Sequence, residues 1–163
     1  MINHNGNLLQ DEDFYSDNRA FLYGDAVFET CKLVNHKVLF LEDHYFRLMA
    51  SMRILRMKIP MDFTLEYFEN QLIETAKSNN HTIARVRLTV YRNFGGKYTP
   101  ATNTVSYCIT SESLENASYK ATQTQYEVDL YKDFYVTKQL LSTLKTTNRL
   151  INITGSIYAE ENG

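Results

Sequence analysis

In the stretch Leu144-Lys145-Thr146-Thr147-Asn148-Arg149-Leu150 a single lysine stands just ahead of a run with helical periodicity, and that placement can carry chemistry. From Leu150 the apolar residues Ile153, Ile157 and Tyr158 follow at helical spacing, and Thr146 or Thr147 can cap the first turn. Lys145 is therefore expected at the mouth of a helix rather than on its solvated side. A lysine amine that is partly desolvated gives up its proton more readily and can attack a carbonyl to form a Schiff base. On spacing alone, a lysine in a surface loop remains the commoner explanation. Two other groups could receive an anion. His44, Arg47 and Ser51 fall at i, i+3 and i+7, so they project from one face of an expected helix as a fork of donors, which also suits a solvated polar face. Arg85 and Arg87 share one side of an alternating segment, where they could take a substrate carboxylate or form the wet face of an antiparallel sheet.

The elements that must position these residues follow in chain order. Asn5-Gly6 is a tight-turn signal within Ile2 to Gln10, and the acidic segment from Asp11 to Asp17 reads as a loop, with order resuming at Arg19. Val27 to Val34 and Val38 to Leu41 are β-prone around Asn35-His36 and describe a hairpin. A helix from about Glu42 to about Arg56 has the stripe Tyr45, Leu48, Met49, Met52 and Leu55, with Glu42 and Asp43 suiting its positive end. Beyond Pro60, Asp62 or Thr64 can start a second helix whose stripe is Leu65, Phe68, Leu72 and Ala76, ending near Asn79-Asn80. Strict alternation from Ile83 to Arg92 puts Val86, Leu88 and Val90 on one side of a strand and Arg85, Arg87, Thr89 and Tyr91 on the other. Asn93 to Asn103 reads as a flexible connection, and Thr104 to Ile109 as a strand.

The polar segment Ser111 to Ala117 is the best boundary, which divides the chain into an N-terminal α+β domain, 1–116, and the beginning of a second domain, 117–163. In the first, an antiparallel sheet is expected to be packed by the two helices that begin near Glu42 and Asp62. The second offers one strand from about Tyr119 to Tyr126, a loop rich in tyrosine and acid, and the helix after Lys145 with Gly163 as its cap. That is too little to close a core, so self-association, swapping or disorder is expected after about residue 117.

Composition narrows the function classes. With 163 residues, 44% hydrophobic content and a formal charge of −2, the chain is globular and has no field that would gather nucleic acid or an anionic membrane. Cys31 and Cys108 lie in apolar, strand-like runs and read as buried free thiols of a reducing compartment. Without a signal peptide or a membrane-length apolar run, the expected place is the cytoplasm. No metal site is expected.

Three motifs then resemble the class IV (fold type IV) pyridoxal-phosphate enzymes, which include branched-chain and D-amino acid aminotransferases and 4-amino-4-deoxychorismate lyases. They are Arg19-Ala20-Phe21-Leu22-Tyr23-Gly24-Asp25-Ala26-Val27-Phe28-Glu29-Thr30, His44-Tyr45-Phe46-Arg47-Leu48, and the stretch from Leu144 to Leu150. The resemblance implies the small N-terminal domain of a D-amino acid aminotransferase-like fold, pyridoxal 5'-phosphate as cofactor, and a homodimer acting on a small amino or keto acid or on aminodeoxychorismate. It makes Lys145 the catalytic lysine that carries the cofactor, and Arg47 the grip on the 5'-phosphate. Phe28 and Glu29 match positions near the substrate, and Arg87 or Arg92 matches the carboxylate-binding strand.

Lysine, two residues, then Asn148-Arg149-Leu150, together with Gly95-Gly96-Lys97-Tyr98, looks like the lyase branch, which releases pyruvate to give 4-aminobenzoate for folate synthesis. Branched-chain enzymes usually have tyrosine where this chain has Leu150. Family members are much longer, and the expected missing half supplies the acidic partner of the pyridine nitrogen, so this chain is expected to be truncated and a poor cofactor binder. The alternatives are an aminotransferase on the same scaffold and a non-catalytic α+β module that dimerises or binds a small molecule.

Overall fold

The computed structural model describes residues 1–10, 17–119, 121 and 125–162, and it divides into two compact units. The first comprises Met1–Ala117 with Lys145–Thr147, and the second Ser118–Leu144 with Asn148–Gly163.

The first unit is an antiparallel sheet with helices, as expected. Its strands are β1 (Ile2–His4), β2 (Asn7–Leu9), β3 (Ala26–Val34), β4 (Lys37–Val38), β5 (Ile83–Arg92) and β6 (Val105–Ser113), in the order β2-β1-β6-β5-β3-β4. Asn5 and Gly6 both have positive φ, 51° and 87°, so the β1–β2 connection takes the twist that a two-residue hairpin requires. Between β3 and β4 the same conformation falls on Asn35 and His36. A period of two puts Val27, Cys31 and Leu33 of β3 and Val86, Leu88 and Val90 of β5 into one core, while Phe28, Thr30, Arg85, Arg87 and Thr89 take the opposite face.

Two helices close that core. In α2 (Leu41–Ile54) the buried side chains include Leu48, Met49 and Met52, and in α3 (Leu65–Ser78) Phe68, Leu72 and Ala76. Phe68 meets Tyr45 and Phe63 at ring separations of 5.8 and 6.4 Å. Phe40 at the start of α2 makes no side-chain cap, so Glu42 and Asp43 are the groups that favour its first turn. Thr64 does cap α3: its hydroxyl oxygen accepts the Tyr67 N–H at 3.1 Å. Thr64→Ala is expected to cost about 1 kcal/mol, a fall in Tm of roughly 2–4 °C for a chain of this size. Thermal melts of the two proteins check this, and superimposable curves would remove the cap's contribution.

Four expectations change. The returning arm of the hairpin, expected from Val38 to Leu41, is only Lys37–Val38, and Leu41 instead begins α2. A short helix, α1 (Arg19–Tyr23), precedes β3, with Asn18 accepting the Ala20 N–H at 2.8 Å and Gly24 ending it at φ 63°. The cap residues lie only six apart, too close for a periodicity argument to register a helix. The strand expected to end at Ile109 runs on to Ser113, because β5 continues to offer partners out to Ala84. The strand expected from about Tyr119 to Tyr126 is not formed at residues 119, 121, 125 and 126; residues 120 and 122–124 lie outside the described residues, as do 11–16 of the acidic loop and the Gly163 cap.

The second unit holds a 3-10 turn (Leu140–Thr143) and helix α4 (Leu150–Asn162). Tyr131 packs on the Phe134 and Tyr158 rings at 6.0 and 5.1 Å, and the Tyr158 hydroxyl donates to Asp129 at 3.1 Å. Leu150, Ile153 and Ile157 of the expected stripe are exposed. Among the described residues, no helix is long and apolar enough to cross a membrane.

Candidate active site

β4 is so short that it pairs only with Leu33 and Val34, which leaves the other end of β3 with a bare edge. Lys145–Thr147 occupies it. The Phe28 N–H donates to the Lys145 carbonyl at 2.9 Å, the Thr147 N–H donates to the Ala26 carbonyl at 3.0 Å, and Thr146 forms an antiparallel bridge with Val27. Thr147 turns its hydroxyl to the Gly24 carbonyl at 3.3 Å and not, as expected, into the first turn of α4. Lys145 is thus held by sheet-type bonds from its own backbone, and its ammonium lies 5.1 Å from the centre of the Phe28 ring.

Phe28 gathers a second cation. The Arg87 guanidinium lies 3.9 Å from the same ring centre, and Arg87 is the register partner of Thr30. The Thr30 hydroxyl oxygen is buried without a hydrogen-bond partner among the described residues, an orphan that a bound polar group would satisfy. Lys145, Phe28, Arg87 and Thr30 therefore share one face of the sheet, and an anion with a flat ring is the chemistry that face suits.

The neighbouring residue points the other way. Glu29 is 1% exposed on the helix-covered side, where Arg47 donates Nε–H and Nη2–H to its two oxygens, both at 2.7 Å, and His44 Nδ1 lies 2.8 Å from Oε2. Burial alone would raise the Glu29 pKa, but the hydrogen bonds and charges of His44 and Arg47 outweigh it and hold the carboxyl below its ordinary range. Arg47 is held above its ordinary range, chiefly by its bond to Glu29. Ser51, expected beside His44 and Arg47, donates instead to the Arg47 carbonyl within α2. Two residues along β3, Cys31 is pushed up to about 12, by burial first and then by Glu29, with Arg47 and Lys145 opposing. Its thiol is inert, and it lies in the field of both cations.

Arg92 belongs to a different cluster. Its Nε–H and that of Arg19 both donate to Asp25 Oδ2 at 2.9 Å. The rest of Arg92 ties the Leu55 carbonyl at 2.7 Å and Asn103, while Arg19 ties the Gly95 and Lys97 carbonyls at 3.2 and 2.7 Å. The two side chains are 8% and 4% exposed. Of the residues singled out in the sequence, the structure thus unites Lys145, Phe28 and Arg87, unites Glu29 with Arg47, and sets Arg92 apart. Thr30 and the Arg19–Asp25–Arg92 knot were not anticipated, since no spacing rule brings residues 19, 25 and 92 together.

The site is thus an antiparallel sheet whose bare edge receives a lysine beside an aromatic ring, with an arginine on the flanking helix. Residues 26–163 match the amino-transferase class IV family model, and the chain belongs to that family, whose cofactor is pyridoxal phosphate. Over 93 residues it is 33% identical to a Methanocaldococcus jannaschii protein named "Putative branched-chain-amino-acid aminotransferase", covering 56% of this chain and 32% of that one. The solved branched-chain aminotransferase of Thermoproteus uzoniensis with norvaline has the same fold at a TM-score of 0.79 and 19% identity, over 99% of this chain and 56% of that chain. A structure from Legionella pneumophila titled "Putative 4-amino-4-deoxychorismate lyase" superposes at 0.76 with 20% identity, over 94% and 55%. The chain spans about a third of the length of its curated relative.

Proposed function

We propose that this chain carries the cofactor lysine of a class IV pyridoxal-phosphate enzyme and that the reaction is of the 4-amino-4-deoxychorismate lyase type, eliminating pyruvate to leave 4-aminobenzoate. The observation that carries the cofactor assignment is the clamping of Lys145 along the bare edge of β3, with its ammonium over Phe28. The group fits the residues present: a primary amine for an aldehyde, a half-exposed guanidinium for a phosphate, and an orphaned hydroxyl beside the ring.

When bound, pyridoxal phosphate supplies the electron sink for cleavage at the substrate's α-carbon. Lys145 holds the cofactor and moves the proton at Nζ. Arg47 anchors the phosphate, Phe28 supports the ring side, and Arg87 receives a substrate carboxylate. Glu29 was assigned near the substrate by resemblance, but its contact with Arg47 supports a place behind the phosphate grip. Arg92, assigned with Arg87, has its donors engaged by Asp25, Asn103 and backbone carbonyls, whereas Arg87 stands on the face that holds Lys145 and Phe28, which supports Arg87 as the carboxylate residue. Residues from 117 onward form the opening of the second, cofactor-binding domain, and the working enzyme is a homodimer in folate synthesis.

Leu150 in place of tyrosine and the pattern Asn148-Arg149-Leu150 favour the lyase. The name of the 33% identical relative favours the second reading, a branched-chain aminotransferase. Products separate the two. A chain of the relatives' full length, given aminodeoxychorismate, is expected to release pyruvate and 4-aminobenzoate in equal amounts. Glutamate formed from 2-oxoglutarate and a branched-chain amino acid, with no pyruvate from aminodeoxychorismate, would establish transamination instead. A protein that takes up no cofactor would be a non-catalytic module.

A further inference from the structure

We propose that Glu29 is the positioning residue for phosphate recognition: it touches neither substrate nor cofactor but aims the Arg47 guanidinium, with His44 fixing the carboxylate. This rests on the reading that Arg47 grips the phosphate. A free arginine side chain samples many rotamers, and a binding site must restrict them before a donor can meet a phosphate at a defined point. Here the restriction is built in. Glu29 is buried in a strand, a rigid base, and takes one inner edge of the guanidinium through Nε and Nη2 at 2.7 Å each. That two-point bond leaves Nη1, which donates to no protein group among the described residues, as the outer donor.

The guanidinium is correspondingly half out: the Arg47 side chain is 46% exposed while its partner carboxylate is 1% exposed. His44, one helical turn before Arg47, comes within 2.8 Å of Oε2 and so stops the carboxylate from rotating. Alternation along β3 sends Phe28 toward Lys145 and Glu29 toward α2, and Cys31, two residues farther along, lies in the field of both Lys145 and Arg47, so the two cations reach the same stretch of β3.

The test compares reductive labelling of Lys145 by pyridoxal 5'-phosphate and by pyridoxal, with borohydride as reductant and peptide mass as readout. The yield ratio reports phosphate recognition alone, and activity plays no part. The native chain is expected to prefer the phosphorylated aldehyde, and Arg47→Ala to abolish that preference. Glu29→Gln is expected to lower the ratio about tenfold while leaving labelling by pyridoxal unchanged, and Glu29→Gln combined with Arg47→Ala to be no worse than Arg47→Ala. A preference that survives Glu29→Gln but not Arg47→Ala would overturn this proposal and leave the phosphate reading intact. A preference that survives Arg47→Ala, or is absent from the native chain, would overturn both. Equal loss with both aldehydes would mark Glu29 as merely structural. Should Glu29→Gln fail to fold, Glu29→Asp, which keeps the charge but draws it back by one methylene, must still lower the ratio; an unchanged ratio there counts against the proposal.

Discussion

Lys145→Ala, in a chain spanning the relatives' full length, is expected to reduce turnover by on the order of 10³-fold or more, the scale for losing a residue that both holds a cofactor and moves a proton. The same substitution should leave the fold in place. Lys145 is fixed by backbone bonds to Phe28 and by the pairing of Thr146 with Val27, and alanine keeps all of these. Thermal melts of native and variant chains should therefore agree to within about 0.5 kcal/mol, the usual range for a side chain outside the core. Borohydride reduction in the presence of pyridoxal phosphate should mark Lys145 in the native chain and nothing specific in the variant. A mark on Lys132 or Lys138, or a variant with native turnover, would end the assignment.

Asp25→Ala is expected to destabilise the first unit by about 3–5 kcal/mol, and a fall in Tm on the order of 10 °C follows for a chain of this size. Among the described residues, Asp25 is the anion shared by the Arg19 and Arg92 guanidinium groups, each at 2.9 Å and each nearly buried. Removing it leaves two like charges facing each other away from water. Those arginines also reach out, Arg92 from β5 to Leu55 at the end of α2 and Arg19 from α1 to the Gly95–Lys97 loop. The segment read as a flexible connection is thereby pinned, and the damage should spread to it, seen as faster amide exchange at residues 95–97. An Asp25→Ala protein as stable as the native one would mean that solvent or a rearranged side chain compensates both arginines.

Much of the scaffold could be read from periodicity. Alternation in β5 and the stripes of α2 and α3 named the buried residues Val86, Leu88, Met52, Phe68 and Leu72 correctly, because a half-buried element must repeat its apolar side with its own geometric period. Short or irregular elements escaped. α1 has a cap and a stop but no room for a stripe, and β6 outruns its apolar residues because its length is set by its partner. Polar Ser111 and Glu112 pair with Val86 and Arg85 regardless of their own preference for a loop.

For the site the division is sharper. By itself the chain determined the residue types that can act and the family motifs that contain them: the lysine ahead of its helix, the arginine one turn after a histidine, and the alternating arginines. Local pattern also placed Phe28 and Glu29 side by side on a strand. Only the tertiary structure decided which of these meet. Lys145 is 117 positions beyond Phe28 and reaches it because β4 is too short to occupy the edge of β3, a fact about pairing partners that no stretch of sequence carries. Arg87 and Arg92 look alike on one strand. Yet the odd interval between them puts one on the open face over Phe28 and the other inward, where Asp25 and the end of α2 take up its donors. Hydrogen bonds and charges act over a few ångströms of space, so their partners become definite only when the sheet brings distant residues within that range.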